Sequence, residues 1–299
     1  NAGVNVLVEK PMAPSLKECD AMLEAEERNQ VTMGVIAQNR FRNIIYKLKE
    51  TLDSGLAGDL KVAHIDSLWW RGHCYYDLWW RGTWAKEGGG PTLNHAVHHI
   101  DMINWMKGEL PVEVNCMLGN VMHDNSEVED ISFAAVKYAD GAVGMITSSV
   151  VHHGEEQGIV LQCADAKIAA PWDLKAEISQ PNGFPTEEGN QALIKKLNDF
   201  YKAIPDLEHE GHTAEIENFY DAVAVGTRPL ITGTDGRKTV ELITAIYKAG
   251  FEKRTVSLPI AQDDVYYTVE GIQNHAIHFY EKTSSVENLE SGKVTLGNY

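Results

Sequence analysis

The sequence predicts a chain in two parts, a short α/β segment followed by a longer α+β domain, and three observations carry that reading. Residues 4–37 alternate strand, helix and strand, later apolar stretches meet at a hairpin-type turn, and two helical patterns come late. The first run, Val4-Asn5-Val6-Leu7-Val8, is apolar and β-branched and reads as a buried strand. It stops at Glu9-Lys10-Pro11, since proline cannot donate to a ladder. Ser15-Leu16-Lys17-Glu18 has the form of a capping box, and Leu16, Cys19, Met22 and Leu23 stripe the helix it starts. A second strand is expected over 31–37. Strand, helix and strand at this length imply a parallel sheet.

Next, Asn43 opens a helix carrying Ile44, Ile45, Leu48 and Leu52, closed by Gly55. Residues 62–70, 113–118, 131–138 and 142–151 read as strands of an antiparallel sheet. Asp140-Gly141 is expected to form a two-residue hairpin turn, both residues tolerating positive φ. Helices are expected over 213–225 and 235–250, each ending at glycine. The polar tail after Pro259 predicts no element. Residues 1–40 thus read as the closing part of a doubly wound α/β domain, and 41–299 as a separate α+β domain. A single strand–helix–strand unit cannot cover a parallel sheet, so the first half of that domain is expected ahead of Asn1.

Composition narrows the function classes. A hydrophobic share of 43% is that of a folded globular chain. The net charge of -17, with no dense Lys/Arg patch, argues against nucleic acid. No apolar run reaches the roughly eighteen residues of a membrane span. Cys19, Cys74, Cys116 and Cys163 lie far apart with no Cys-x-x-Cys pair, which fits a reduced, cytoplasmic protein with core thiols.

Lys10 follows a strand at the carboxyl end of a parallel sheet, where α/β proteins bind ligands. A lysine there can donate to a hydroxyl and stabilise alkoxide charge, although on these three residues alone a solvated loop lysine is the better fit. Gly88-Gly89-Gly90-Pro91 then leads into a helix running from Thr92 to Trp105, with proline in its first turn. At helical spacing Asn94, His98 and Asp101 share one face, and His95 and His99 the neighbouring one. A histidine can take the proton that alcohol oxidation releases, and Asn94 one turn earlier can orient the ring or bind the same hydroxyl. His95 and His99 also have metal-ligand spacing, with Asp101 to complete a set, or they simply pack. From Trp69 to Trp84 the chain is dense in Trp, Tyr and Arg, side chains that stack on sugar or nicotinamide rings and bind phosphate or hydroxyls. His212 opens a late helix and faces either a ligand or solvent.

Taken in order, these pieces resemble the glucose–fructose oxidoreductase / inositol dehydrogenase / rhizopine-catabolism (Gfo/Idh/MocA) family from Val4 to Ile260. Val8-Glu9-Lys10-Pro11 matches its Glu-Lys-Pro segment, and Gly88-Gly89-Gly90 through His98 and Asp101 matches its glycine-to-histidine region. Gly226, Arg228-Pro229, Gly236-Arg237, Ala245-Ile246-Tyr247 and Val256-Ser257-Leu258-Pro259 match its C-terminal helices and last strand. The resemblance implies a Rossmann domain, of which residues 1–40 are the C-terminal part. An α+β domain with a large open antiparallel sheet follows, binding substrate and forming a dimer or tetramer through that sheet. It implies NAD or NADP and hydride transfer to or from a sugar carbinol. His98 would be the acid/base and Lys10 would polarise the hydroxyl, with Asn94 beside them. Glu9, Lys10, Pro11, Gln38, Trp80 and Arg81 would border the cofactor; Tyr75, Tyr76, Asn94, His95 and His212 would meet the sugar. Trp-Arg-Gly-Thr-Trp and Asn-His…His-His-Ile-Asp look closest to members acting on nucleotide-linked or glycosidic sugars.

Two departures bear on this. Asn94 stands where many members have aspartate, and an amide does not support an imidazolium as a carboxylate does. No Gly-x-Gly-x-x-Gly occurs between a strand and a helix, so the adenosine half of a dinucleotide site is missing and tight NAD(P) binding by these residues alone is not expected. A cofactor-free sugar-binding or assembly module and an NAD-dependent glycosidase stand as alternatives.

Overall fold

The computed structural model describes residues 2–289. Strand β1 (Val6–Val8) pairs in parallel with β2 (Met33–Val35), and helix α1 (Leu16–Asn29) crosses between them. Both strands are shorter than the sequence pattern, and β1 is not buried. Val6 is 44% exposed, because β2 is its one paired neighbour among the described residues. The capping box at Ser15 does not form. The Ser15 hydroxyl is engaged by the Glu18 carboxylate and the main-chain oxygen of Tyr267 rather than by a helix N–H. Leu16 and Cys19 are buried as expected.

Helix α2 (Asn43–Asp53) buries Ile45 and Leu48, and Gly55 follows it at φ +70°. The larger sheet contains β3 (Leu60–Leu68), β4 (Glu113–Gly119), β5 (Ile131–Lys137), β6 (Val143–Ser149), β7 (Gln157–Cys163), β8 (Lys167–Ala170), β9 (Asp173–Lys175) and β10 (Val256–Ser257). Their order is β10-β4-β5-β6-β3-β7-β8-β9. All neighbours are antiparallel except β3 and β6. That departure from the expected pattern follows from connectivity. The helices between β3 and β4 return the chain in the same sense, and two hairpins then give β6 the direction of β3.

Between β3 and β4 lie α3 (Pro91–Asn94) and α4 (Val97–Lys107), and the C-terminal part holds α5 (Gln191–Ala203), α6 (Gly211–Val225), α7 (Gly233–Glu252) and α8 (Val269–His275). Helices α4 and α7 pack together over one face of the sheet. On β5 the side chains alternate accordingly: Ala134 and Val136 point into the core and Phe133 stays open to solvent. Met117 and Met145 share that open character.

The Asp140-Gly141 connection is a three-residue loop rather than a two-residue one. Tyr138 pairs with Ala142, the Tyr138 oxygen accepts from the Gly141 N–H at 3.0 Å, and Gly141 alone in the loop takes positive φ. Helix α6 is capped by Gly226 as expected, but α7 runs past Gly250 to Glu252 and is capped by Lys253. Gly250 serves close packing instead, since a Cβ there would lie 2.5 Å from the Leu118 side chain on β4. Cys74 is exposed, unlike the core thiols Cys19 and Cys116. Strands β7–β9 and helix α5 were not expected, although Ile159 and Leu161 alternate inward and Asn190 caps α5 through the Leu193 N–H. The tail is also structured as far as residue 289; residues 290–299 lie outside the described residues. Beyond α8 it runs along the tryptophan-rich segment, with Ile277 accepting from the Trp84 indole at 3.0 Å and Val286 bridging Leu78.

Candidate active site

The carboxyl ends of β1 and β2 meet the start of α4. Lys10, Pro11, Ala37 and Val97 line one small cavity together with His98. The topology explains the meeting: parallel strands end at the same edge, and α4 follows a helical crossover that faces it.

The expected single helix from Thr92 to Trp105 is broken. It stops at Asn94 and resumes at Val97, with the Ala96 N–H turned back to the Pro91 oxygen. Asn94 therefore does not hydrogen-bond to His98. Its amide donates instead to the main-chain oxygens of Gly89 (2.9 Å) and Gly90 (3.3 Å). Its own main-chain oxygen accepts from the Lys10 ammonium at 3.3 Å.

Burial lowers the Lys10 pKa; Glu9 opposes that and Arg81 adds to it. The His98 imidazole is held well below its ordinary pKa, first by burial and then by Lys10, His99 and His212, so it is neutral at neutral pH. Its Nδ1 is buried with no hydrogen-bond partner among the described residues. His212 is exposed in the first turn of α6, near enough to His98 to disfavour its charge. Gln38 lies in the turn after β2 with its side-chain oxygen buried and unpartnered.

His95 leans against Trp69 (5.7 Å between ring centres) and Tyr75 (6.1 Å), and is also kept neutral by burial and by Arg71, Arg81 and Lys10. The Arg81 guanidinium lies 4.0 Å from the Tyr75 ring centre and 4.2 Å from that of Trp80. Tyr76 is a correction to the expected sugar contacts. Only 1% exposed, it stands edge-on to Tyr75 and packs against His123, so it belongs to the core. Asp101, expected on the His98 face, makes a buried two-pronged ion pair with Arg40, at 2.7 Å for each bond. Among the described residues no group of three His, Cys, Asp or Glu side chains converges as a metal site.

Sequence reasoning missed the support beneath the glycine turn. Glu129 is fully buried there and accepts from the Gly90 N–H (3.2 Å), the Thr92 N–H (3.2 Å) and the Tyr247 hydroxyl (3.0 Å). Burial pushes its carboxyl up to about 7. Glu215, on α6, accepts from the Ala37 N–H at 2.7 Å and is likewise pushed up to about 7 by burial. The one available signal was a pair of acids, Glu129-Asp130, at the mouth of an apolar strand.

Lys10 and a neutral His98 thus line one small cavity, and the Gln38 side-chain oxygen and the His98 Nδ1 are buried without hydrogen-bond partners among the described residues.

Comparison with known proteins matches both parts of the chain to family models. Residues 1–37 match the family model described as an oxidoreductase family with NAD-binding Rossmann fold, and residues 45–169 match the GFO/IDH/MocA C-terminal domain. The 2,7-anhydro-N-acetylneuraminate hydratase of Mediterraneibacter gnavus is 27% identical over 284 residues, covering 86% of this chain and 75% of its own. The myo-inositol 2-dehydrogenase of Thermotoga maritima is 27% identical over 259 residues, covering 85% and 72%. Among solved structures, the WlbA dehydrogenase of Chromobacterium violaceum in complex with NADH and UDP-GlcNAcA superposes with a TM-score of 0.71 at 25% identity, covering 87% of this chain and 72% of that one.

Proposed function

This chain belongs to the Gfo/Idh/MocA family of NAD-binding oxidoreductases, and we propose that it acts on a carbinol of a sugar or sugar derivative, with His98 moving the hydroxyl proton and Lys10 polarising the oxygen. The observation that carries the reading is the shared cavity of Lys10 and His98 at the carboxyl ends of β1 and β2. When bound, NAD or NADP would supply the hydride acceptor for the carbinol carbon. His98, neutral at neutral pH, accepts the hydroxyl proton as the carbon–oxygen double bond forms. Lys10, steadied by the Asn94 oxygen, stabilises the charge that develops on that oxygen. Glu9, Pro11, Gln38, Trp80 and Arg81 border the cofactor side. Tyr75, Asn94, His95 and His212 border the sugar.

Residues 1–40 form the cofactor unit and 41–299 the substrate and assembly unit. The open sheet face, with Met117, Phe133 and Met145 exposed, is the surface through which copies associate into a dimer or tetramer. No helix among the described residues is long and apolar enough to cross a membrane; we place the protein in the cytoplasm with its thiols reduced.

The test is a panel of sugars with NAD or NADP, followed by nicotinamide absorbance and by product analysis. A dehydrogenase changes both. A second form of the same chemistry is that of an NAD-dependent glycosidase, in which the sugar is oxidised and re-reduced at one site. That form alters the product while bulk nicotinamide absorbance stays constant. Wild-type turnover in both His98→Ala and Lys10→Ala would remove the reading in either form.

A further inference from the structure

We propose that the sugar carries an anionic group, a carboxylate or a phosphate, held by Arg71 and Arg81 beside Tyr75. The proposal rests on the sugar-binding reading above and adds the chemical class of the ligand.

Two guanidiniums share one aromatic ring: Arg81 lies 4.0 Å from the Tyr75 ring centre and Arg71 lies 5.6 Å from it. Arg71 also stacks 5.3 Å from the Trp69 ring centre. Like charges brought to one ring repel each other, and an anion between them relieves that repulsion. Each arginine has one carboxylate, paired through Nη1, Glu155 for Arg71 and Glu87 for Arg81; Arg71 also donates to the Trp70 oxygen at 2.6 Å and to the Tyr75 hydroxyl. The Arg81 Nε is buried with no partner among the described residues. The Glu87 carboxylate is shared with the Gly82 N–H, which donates to its other oxygen.

Both arginine side chains are 21% exposed, so a ligand can reach them. His95 completes the patch, leaning on Trp69 and Tyr75 with an unpartnered buried Nδ1 that can hydrogen-bond to a hydroxyl. A planar fork with spare donors matches a carboxylate or phosphate two-pronged, whereas a neutral hydroxyl uses a single donor. Structural stacking alone would account for the rings but would leave the Arg81 Nε without a function.

The test is calorimetric titration of the chain with D-glucuronate, D-glucose 6-phosphate and D-glucose. At least one of the two anions is expected to bind ten-fold or more tightly than glucose, and the better of the two identifies the group. Arg71→Gln should weaken that anion about ten-fold and leave glucose unchanged, and Arg81→Gln should weaken that anion at least as much. Arg71→Lys, which keeps the charge and loses the fork, should fall between, and circular dichroism checks that each variant folds. Equal binding of all three probes, no binding of either anion, or an undiminished anion preference in both glutamine variants overturns the proposal. Nicotinamide turnover is read separately. Oxidation of neutral sugars without anion preference defeats this inference alone, and anion preference without turnover or product defeats the oxidoreductase reading alone.

Discussion

The Lys10 ammonium donates to the main-chain oxygen of Asn94 at 3.3 Å, across 84 residues of sequence. The same asparagine ties its side-chain amide to the oxygens of Gly89 and Gly90. One residue thus joins the lysine at the end of β1 to the glycine turn before α4. Because the lysine contact is made by the main chain, Asn94→Ala preserves it and loses the two amide bonds, at a cost of about 1 kcal/mol each. Lys10→Ala removes the group that meets developing charge. We expect Lys10→Ala to cut turnover about a hundred-fold or more, and Asn94→Ala to act mainly on stability. Steady-state kinetics beside urea melts of both variants checks the division.

The pH profile of turnover follows from the two shifted groups. His98 must be neutral to accept a proton, and its pKa lies well below the ordinary 6.5. The acid limb of kcat/KM therefore falls below pH 6.5. Lys10 must keep its proton, and its pKa is lowered from 10.5. The alkaline limb therefore falls below pH 10.5, and in Lys10→Arg it should move upward because a guanidinium does not titrate there. An acid limb above pH 6.5 would contradict His98 as the base.

The glycine turn is built against its neighbours. A Cβ on Gly90 would lie 2.0 Å from the Glu129 main-chain oxygen, and one on Gly89 would lie 2.1 Å from the Tyr247 hydroxyl. Gly90 meets backbone, which cannot swing aside. Gly90→Ala should therefore cost more than Gly89→Ala, each within roughly 1–3 kcal/mol, and both should lower turnover by shifting Asn94. Denaturant midpoints and kinetics of the two variants test the order.

Local patterns made part of this site legible. Lys10 follows the apolar run of β1, and His98 follows a Gly-Gly-Gly-Pro entry, so each is marked by its immediate neighbours. Strand and helix boundaries for α2, β4, β5 and α6 were readable for the same reason. The supports were not. Glu129 meets Gly90 from 39 residues away, Arg40 meets Asp101 from 61, and Glu215 meets Ala37 from 178. A charged residue whose partner lies that far off looks like a solvated surface residue in sequence. Tyr76 failed in the opposite direction. Its neighbour Tyr75 does face Arg81, and nothing in the run of aromatic letters says which of two adjacent rings turns inward. Strands β7–β9 had usable alternation, but Gly158 interrupts the first of them.

Arg40 and Asp101 form a pair with side chains 2% and 5% exposed, within reach of Asp235 at 3.6 Å and the Trp105 ring at 5.3 Å. Removing Arg40 strands the Asp101 charge in the core, and removing Asp101 leaves the buried Arg40 with Asp235 alone, at 3.6 Å. Arg40→Ala and Asp101→Ala should each cost about 3–5 kcal/mol. The double change Arg40→Met with Asp101→Leu should cost less than either single change, since no lone charge remains. A double-mutant cycle in urea measures this, and additive costs would deny the coupling.

Glu215 gives the sharpest dependence of stability on pH. Its folded pKa is about 7, raised by burial from 4.5, with Asp101 and Glu9 adding to the rise and Arg40 opposing it. Between those two values the native protein holds a proton that the unfolded chain has lost, so the Glu215 contribution to stability falls as pH rises from about 4.5 to about 7 and is flat beyond. Glu215→Gln keeps an oxygen for the Ala37 N–H and carries no charge. At pH 5 the wild-type carboxyl is protonated, and the variant should melt close to it. At pH 8 the wild type buries a charged carboxylate with one oxygen unpartnered, and the variant should melt several degrees higher. Thermal melts at the two pH values decide the matter: an equal offset at both would mean that the carboxyl does not titrate in this window.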